Sequence, residues 1–241
     1  MRITETAIAG LLIIDLDVHG DNRGWFKENW QREKLTGLAP ELASFQPVQN
    51  NISFNHAGAT RGLHAEPWDK LISVAQGKIF GAWCDLREGS ESFGEVITHE
   101  IGPETAVFVP RGVANGFQAL EDTSYSYLVN EHWSAEARYA AVNLDIVDWP
   151  LEPTEISEKD KQHPSLEEVS PMPARRILVT GANGQLGRAL KRLLGDAEFC
   201  SHADFDITNP PERNWKQYST IINCAAYNDV NGAENDRAAA W

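Results

Sequence analysis

From Leu11 to about Trp149 the apolar residues come in short blocks: Leu11 to Leu16, Leu71 to Ala75, Ile79 to Cys84, Ala106 to Val109 and Tyr125 to Val129. Blocks this short suit strands rather than amphipathic helices, and turn signals stand between them, among them His19-Gly20-Asp21-Asn22, Arg87-Glu88-Gly89-Ser90 and Pro110-Arg111-Gly112. Many short strands at this spacing predict an all-β sandwich, jelly roll or barrel. One helix is expected at roughly Gln31 to Leu38, with Gly37 and Pro40 as its stop signals.

From Leu151 to Pro173 the character changes to Glu, Ser, Lys and Pro, which reads as loop, tail or linker, and places a domain boundary near Pro173. Beyond it the period switches. Arg176 to Thr180 is a strand, Gly181-Ala182-Asn183-Gly184-Gln185-Leu186-Gly187 a glycine-rich turn, and Arg188 to Leu194 an amphipathic helix. A strand near Glu198 to Cys200, a short helix after Pro211 and a strand at Thr220 to Cys224 extend an alternating β/α pattern. The chain ends at Ala238-Ala239-Ala240-Trp241 within a helix-like stretch. Too few residues follow Arg175 for a doubly wound sheet, so half a domain is expected there. In GxxGxxG after a strand, the glycines permit a tight turn and close approach of a pyrophosphate, and Ala225-Ala226-Tyr227 after the third strand leaves room for a dinucleotide.

With 35 acidic against 21 basic residues the formal net charge is -14, which argues against nucleic acid or an anionic membrane as partner. Cys84, Cys200 and Cys224 are too scattered for a disulfide framework or a CxxC metal site, and read as reduced cysteines. No secretory leader and no membrane-length apolar run is present, so a soluble, cytoplasmic protein is expected.

The chemistry concentrates at Arg61-Gly62-Leu63-His64-Ala65-Glu66, followed by Pro67-Trp68-Asp69-Lys70. So much charge beside apolar β-type sequence is costly unless it has a task, although a solvated surface turn carries the same residues at no cost. A metal-binding cupin would use His64 and Glu66 with a histidine closing a PxGxxH segment, but Asn115 stands there, and an amide is a poor transition-metal ligand. A lone histidine in a β-domain is more often structural than catalytic. Arg23, Gln49, Asn51 and Lys70 offer donors for phosphate or sugar oxygens, and Tyr127 places a phenol in an apolar strand, where it needs a partner.

Two resemblances follow. Asp21-Asn22-Arg23-Gly24-Trp25-Phe26-Lys27-Glu28, Gln49-Asn50-Asn51, Arg61-Gly62-Leu63-His64, Asp85-Leu86-Arg87-Glu88-Gly89-Ser90, Pro110-Arg111-Gly112 and Trp149-Pro150 resemble the dTDP-4-dehydrorhamnose 3,5-epimerase family. Thr180 to Gly187 with Ala225-Ala226-Tyr227 resembles the start of dTDP-4-dehydrorhamnose reductases, NADPH-using members of the short-chain dehydrogenase family. The pairing is similar to bifunctional proteins that couple the last two steps of dTDP-L-rhamnose synthesis. It implies a cupin jelly-roll epimerase domain over residues 1–172, usually homodimeric and without metal or organic cofactor, then an incomplete Rossmann-like NADP-binding half-domain over residues 173–241.

By this resemblance, epimerisation proceeds at C3 and C5 beside a C4 ketone, with His64 as base, Tyr127 as acid and Lys70 stabilising the enolate oxygen. Asp160, from Ser157-Glu158-Lys159-Asp160, would hold His64, which returns the stretch Ile156 to Gln162 from linker to active site. Arg23, Glu28, Gln49, Asn51, Arg61 and Asn115 would bind the dTDP-sugar; Gly181, Gly184, Gln185, Leu186, Ala225 and Tyr227 would contact NADPH, without reductase activity because the downstream region is missing. Three departures stand out: Asn115 where the family has His, Glu66 where it has Gln, and His132-Trp133 where two tyrosines are common. They leave open a C3-only epimerase, or a non-catalytic sugar-nucleotide-binding or dimerisation module.

Overall fold

In the computed structural model of the chain, which describes residues 1–174, 176–194, 197–227 and 230–235, the short apolar blocks are strands. There are two compact units, Met1–Pro173 and Ala174–Trp241. The first opens with β1 (Arg2–Glu5), β2 (Leu12–Asp15), β3 (Val18–Asp21), β4 (Gly24–Lys27), α1 (Arg32–Leu38), β5 (Gln49–Asn55) and β6 (Thr60–Ala65). It continues with β7 (Lys70–Gln76), β8 (Ile79–Asp85), β9 (Val96–Ile101), β10 (Thr105–Val109), β11 (Val113–Ala119), β12 (Thr123–Val129) and β13 (Ala140–Ala141). Two antiparallel sheets result, ordered β1-β2-β10-β7-β12-β5 and β13-β6-β11-β8-β9, with β3 and β4 forming a separate hairpin. This is the cupin jelly roll.

Strand alternation explains the core. Ile13, Ile72, Val74, Val107 and Tyr125 from the larger sheet meet Ile79, Trp83, Val113 and Phe117 from the smaller. The outer face of the larger sheet is apolar too, because Leu35, Leu42 and Phe45 from α1 and the 3₁₀ turn after it cover Leu12, Ile14, Leu71 and Phe108. β7 is therefore buried on both faces at Leu71 and Ile72, and reads as a continuous apolar run. α1 starts where the Gln31 side chain accepts from the Lys34 N–H at 2.6 Å. Gly37 does not stop it. The helix ends at Leu38, where Ala39 turns extended before Pro40 and its N–H closes on Leu35.

The stretch Leu151 to Pro173 is not a free linker. Ile156, Leu166, Val169 and Met172, with Val142, Leu144 and Val147 before them, cover the outer face of the smaller sheet at Leu63, Ala82, Cys84 and Ala114. Polar spacers hide this role, because single apolar residues suffice to fill gaps over an already formed sheet.

In the second unit β14 (Arg176–Thr180) lies between β15 (Glu198–Cys200) and β16 (Tyr218–Asn223) in a parallel sheet. α2 (Gln185–Leu190) begins earlier and ends earlier than expected, and the region after Pro211 holds a 3₁₀ turn at Trp215–Gln217 rather than a helix. α3 spans Val230–Asn235, and the expected helical residues Ala238 to Trp241 lie outside the described residues. Leu178, Cys200, Phe205 and Tyr218 pack as its core. Among the described residues, no helix is long and apolar enough to cross a membrane.

Candidate active site

β6, β11, β12, β7 and β5 line a cleft of about 330 Å³ that holds Asn51, Arg61, His64, Glu66, Lys70, Asn115, Tyr127 and Asp160. Its floor depends on Gly62, whose φ of +118° lies in the range that favours glycine and where a Cβ would fall 2.5 Å from the Gly116 Cα of β11. The β6–β11 register slips at this close approach, between Asn115 and Phe117, leaving Asn115 opposite His64.

Asp160 reaches the cleft from a 3₁₀ turn whose first N–H is accepted by the Ser157 hydroxyl at 3.1 Å. Its Oδ1 stands 2.8 Å from His64 Nε2, and its Oδ2 accepts the Gly62 N–H at 3.1 Å. Burial pushes this carboxyl up, but the hydrogen bonds from His64 and Gly62 outweigh burial and hold it at about 2. An ionised carboxylate only accepts, so Nε2 of His64 carries the proton and Nδ1 carries the lone pair. Beside this pair, the His163 ring meets His64 edge to face with centroids 5.0 Å apart, and its Nδ1 lies 3.1 Å from the Gly62 carbonyl. Burial lowers the His163 pKa, with the neighbouring His64 acting in the same direction.

Across the cleft, Lys70 and Glu66 form an ion pair in which both side chains are largely buried. The Lys70 ammonium stands 5.2 Å from the Tyr127 ring centroid. Burial raises the Tyr127 pKa and the Glu66 charge raises it further, while Arg61 opposes them. The phenol is therefore protonated at neutral pH and equipped to donate. Tyr125 shares its face of β12, stacks on Phe117 at 4.3 Å and accepts from the Asn115 amide at 3.4 Å. Asn115 is thus held by the tyrosine beside it.

The remaining expected binding residues divide. Arg61 donates to Asn55 at 2.8 Å, and Gln49 donates to Asn51 at 2.8 Å from an adjoining recess that shares Asn51, Glu66 and Tyr127 with the main cleft and adds Trp68 and Trp133. Arg23 and Glu28 do not line the cleft. Arg23 sits on the exposed β3–β4 hairpin against Asp21, and Glu28 pairs with Lys34. In the second unit Gly181, Gly184, Gln185 and Leu186 form the turn between β14 and the start of α2, and Ala225 and Tyr227 follow β16. A Cβ on Gly181 would meet the Ala225 nitrogen at 2.5 Å, and one on Gly187 the Gly181 carbonyl at 2.5 Å.

Tyr125, Phe117 and His163 escaped the sequence reading as site residues. Tyr125 carried a signal, standing two residues from Tyr127 and so on the same strand face. His163 carried none, since its contact with His64 joins residues far apart in the chain. His64, Asp160 and His163 place one ligand atom each within 4.8 Å of one another, a metal-compatible group distinct from the cupin pattern.

Comparison with known proteins gives two family matches. The dTDP-4-dehydrorhamnose 3,5-epimerase family matches residues 5–168, and the RmlD substrate binding domain family matches residues 175–241. A Streptococcus pyogenes protein described as an RmlC homolog is 52% identical over 176 residues, spanning 68% of this chain and 89% of its own. The structure of RmlC from Streptococcus suis in complex with dTDP-D-xylose superposes with a TM-score of 0.66 at 49% identity, covering 71% of this chain and 94% of that one. The Legionella pneumophila dTDP-6-deoxy-D-glucose-3,5-epimerase in complex with dTDP-4-keto-L-rhamnose superposes at 0.63 with 31% identity, covering 69% and 93%.

Proposed function

We propose, from the premise that this chain belongs to the dTDP-4-dehydrorhamnose 3,5-epimerase family through residues 5–168, that its cleft works with His64 as base and Tyr127 as acid. The enzyme epimerises dTDP-4-dehydro-6-deoxy-D-glucose at C3 and C5 in dTDP-L-rhamnose biosynthesis. The C4 ketone acidifies the protons on both neighbours. His64 Nδ1 removes one, the Lys70 ammonium stabilises the enolate oxygen, and the Tyr127 hydroxyl returns a proton to the opposite face. Asp160 stabilises the imidazolium between the two transfers. The observation that carries this reading is the 2.8 Å contact of His64 Nε2 with a buried carboxylate, which leaves Nδ1 as the base.

Site-resolved exchange in deuterated water tests it. With dTDP-4-keto-6-deoxyglucose, deuterium is expected at both C3 and C5. Substrate binding without exchange above background rejects catalysis in favour of a binding module, and exchange at C3 alone reduces the enzyme to a single epimerisation.

The active form is a homodimer in which a second copy supplies Arg23 and Glu28 to the cleft. Two features support this: the β3–β4 hairpin exposes Trp25 and Phe26, and the outermost strand β5 exposes Ile52 and Phe54, the first of which lines the cleft. Ile52→Lys together with Phe54→Lys should then give a monomer in sedimentation and lower kcat/KM; a variant that stays dimeric sinks the assignment of this face. The second unit takes NADPH, whose reducing power would serve the ketone product. Support comes from the glycine turn, where the added methyl groups described above would meet backbone, and a rise in melting temperature with added NADPH measures it. The free cysteines Cys84, Cys200 and Cys224 fit a cytoplasmic location.

A further inference from the structure

His163 is a buried histidine beside the His64–Asp160 pair. Its side chain is 7% exposed. Nδ1 lies 3.1 Å from the Gly62 carbonyl, which only accepts, so Nδ1 carries the proton and Nε2 presents a lone pair. That lone pair faces another acceptor: Asp160 Oδ1 stands 3.7 Å away, beyond hydrogen-bonding distance. A buried imidazole acceptor turned toward a carboxylate is unfavourable until a cation sits between them. From this arrangement we infer that His64 Nε2, Asp160 Oδ1 and His163 Nε2 bind a divalent transition-metal ion of the Zn2+ type, and that the bound ion switches off the base.

The outer contacts are those such a site uses. A ligating histidine commonly donates its second ring N–H to a backbone carbonyl, as His163 does to Gly62, and a ligating carboxylate is itself hydrogen-bonded, as Asp160 is by the Gly62 N–H at 3.1 Å. Two imidazoles and a carboxylate suit Zn2+, with the fourth position left to solvent. Zn–ligand bonds of about 2.0–2.1 Å put neighbouring ligand atoms roughly 3.3–3.5 Å apart at tetrahedral angles. The three atoms here already lie within 4.8 Å of one another, with His64 Nε2 and Asp160 Oδ1 at 2.8 Å, so small side-chain rotations complete the site.

Inhibition follows from proton balance. In the metal-free dyad the neutral His64 ring keeps its proton on Nε2 and accepts substrate protons at Nδ1. A metal on Nε2 needs that lone pair, so the ring's single proton moves to Nδ1. No proton is gained or lost, and the nitrogen that abstracted the C–H proton is now capped. The binding half of this inference stands on geometry alone, whereas the inhibition half rests on the epimerase reading; the two are read separately.

Metal-free protein titrated with ZnCl2 against a competing chromophoric chelator should bind one ion at this site, and His163→Gln should weaken that binding by about 10-fold or more. Nitrogen-15 ring spectra of the unaltered protein supply a check that needs no variant: Zn2+ should shift Nε2 of both His64 and His163 and move the His64 proton to Nδ1. The deuterium exchange rate should fall as the site fills and return when EDTA is added. Equal Zn2+ affinity in wild type and His163→Gln, or ring signals unmoved by Zn2+, overturns the site. Zn2+ on both rings with the exchange rate unchanged overturns the switch. Absence of exchange in the metal-free protein removes the epimerase reading and leaves the binding result standing.

Discussion

The carboxylate of Asp160 decides which nitrogen of His64 is basic, so the pair fails if the carboxylate becomes an amide. Asp160→Asn removes the anion that stabilises the imidazolium and allows the other tautomer, and the exchange rate should fall roughly 10²–10⁴-fold with KM much less affected. A loss under tenfold would mean that Asp160 is structural. Glu66 acts from the other side of the cleft. Its carboxylate pairs with the Lys70 ammonium; an amide there could accept from the ammonium, but could not neutralise it. Burial, then Glu66, raises the Tyr127 pKa. Removing the charge in Glu66→Gln should therefore lower that pKa, and since the phenol must be protonated to donate, the alkaline limb of kcat/KM should move to lower pH. An unmoved limb would exclude Tyr127 as the acid that limits the rate there. The cleft brings together His64, Lys70, Tyr127 and Asp160, which the sequence singled out on different signals: a short motif for His64 and Asp160, the charged turn for Lys70 and a phenol in an apolar strand for Tyr127. The Glu66–Lys70 pairing was not legible, because the bend between β6 and β7 that turns the two side chains together has no sequence pattern of its own, and His163 was not, because the return of a distant segment brings it to His64.

At the scale of elements, legibility followed apolar continuity. β7, β8, β10 and β12 are apolar runs, and the sequence marks all of them within a residue or two. β5 alternates half-buried polar cleft residues with exposed ones, β6 sets Arg61 and His64 among buried residues, and β11 hides Asn115, Gly116 and Gln118 among buried neighbours, so their β character is masked by the groups that serve the site. The segment after Trp149 misled in the opposite direction. Its charged residues other than Asp160 face solvent, while Val169 and Met172 are buried and the Met172 backbone pairs with Leu86 and Glu88 at 2.7 and 2.8 Å. This cover also carries Asp160 to His64, so it links stability to activity. Met172→Ala deletes a buried side chain at its far end and should cost about 2–5 kcal/mol in denaturant unfolding. It should also reduce exchange activity at temperatures where the melted fraction is still small. A loss below about 1 kcal/mol, the level of ordinary surface changes, would show that the cover is looser than its burial implies.

Across the first unit as a whole, Asp85 joins parts of the chain that lie far apart in sequence. Its fully buried carboxylate accepts two bonds from the Arg87 guanidinium at 2.8 and 2.7 Å and the Ser90 and Ser92 hydroxyls at 2.6 Å each, while Arg87 reaches on to the Ala9 carbonyl at 2.9 Å. The N-terminal segment, the β8–β9 turn and, through the Arg87–Met172 bridge, the cover of the smaller sheet therefore share one anion. Burial pushes the Asp85 carboxyl up, but these donors prevail and hold it at about 2. Since the folded value lies below the ordinary carboxylate value, its contribution is complete above about pH 4 and is lost as the pH falls through about 2, worth on the order of 2 kcal/mol. Asp160 titrates in the same window, so acid should unfold this unit and release the His64–Asp160 pair together. The two are separated by comparison with Asp85→Asn, which leaves the dyad intact. The stability gap between wild type and that variant, measured by urea unfolding, should be constant from pH 7 to 5 and then narrow by about 2 kcal/mol toward pH 2. A gap that stays constant to pH 2 would mean that Asp85 serves by shape alone, and that the acid sensitivity of the fold resides in the active site.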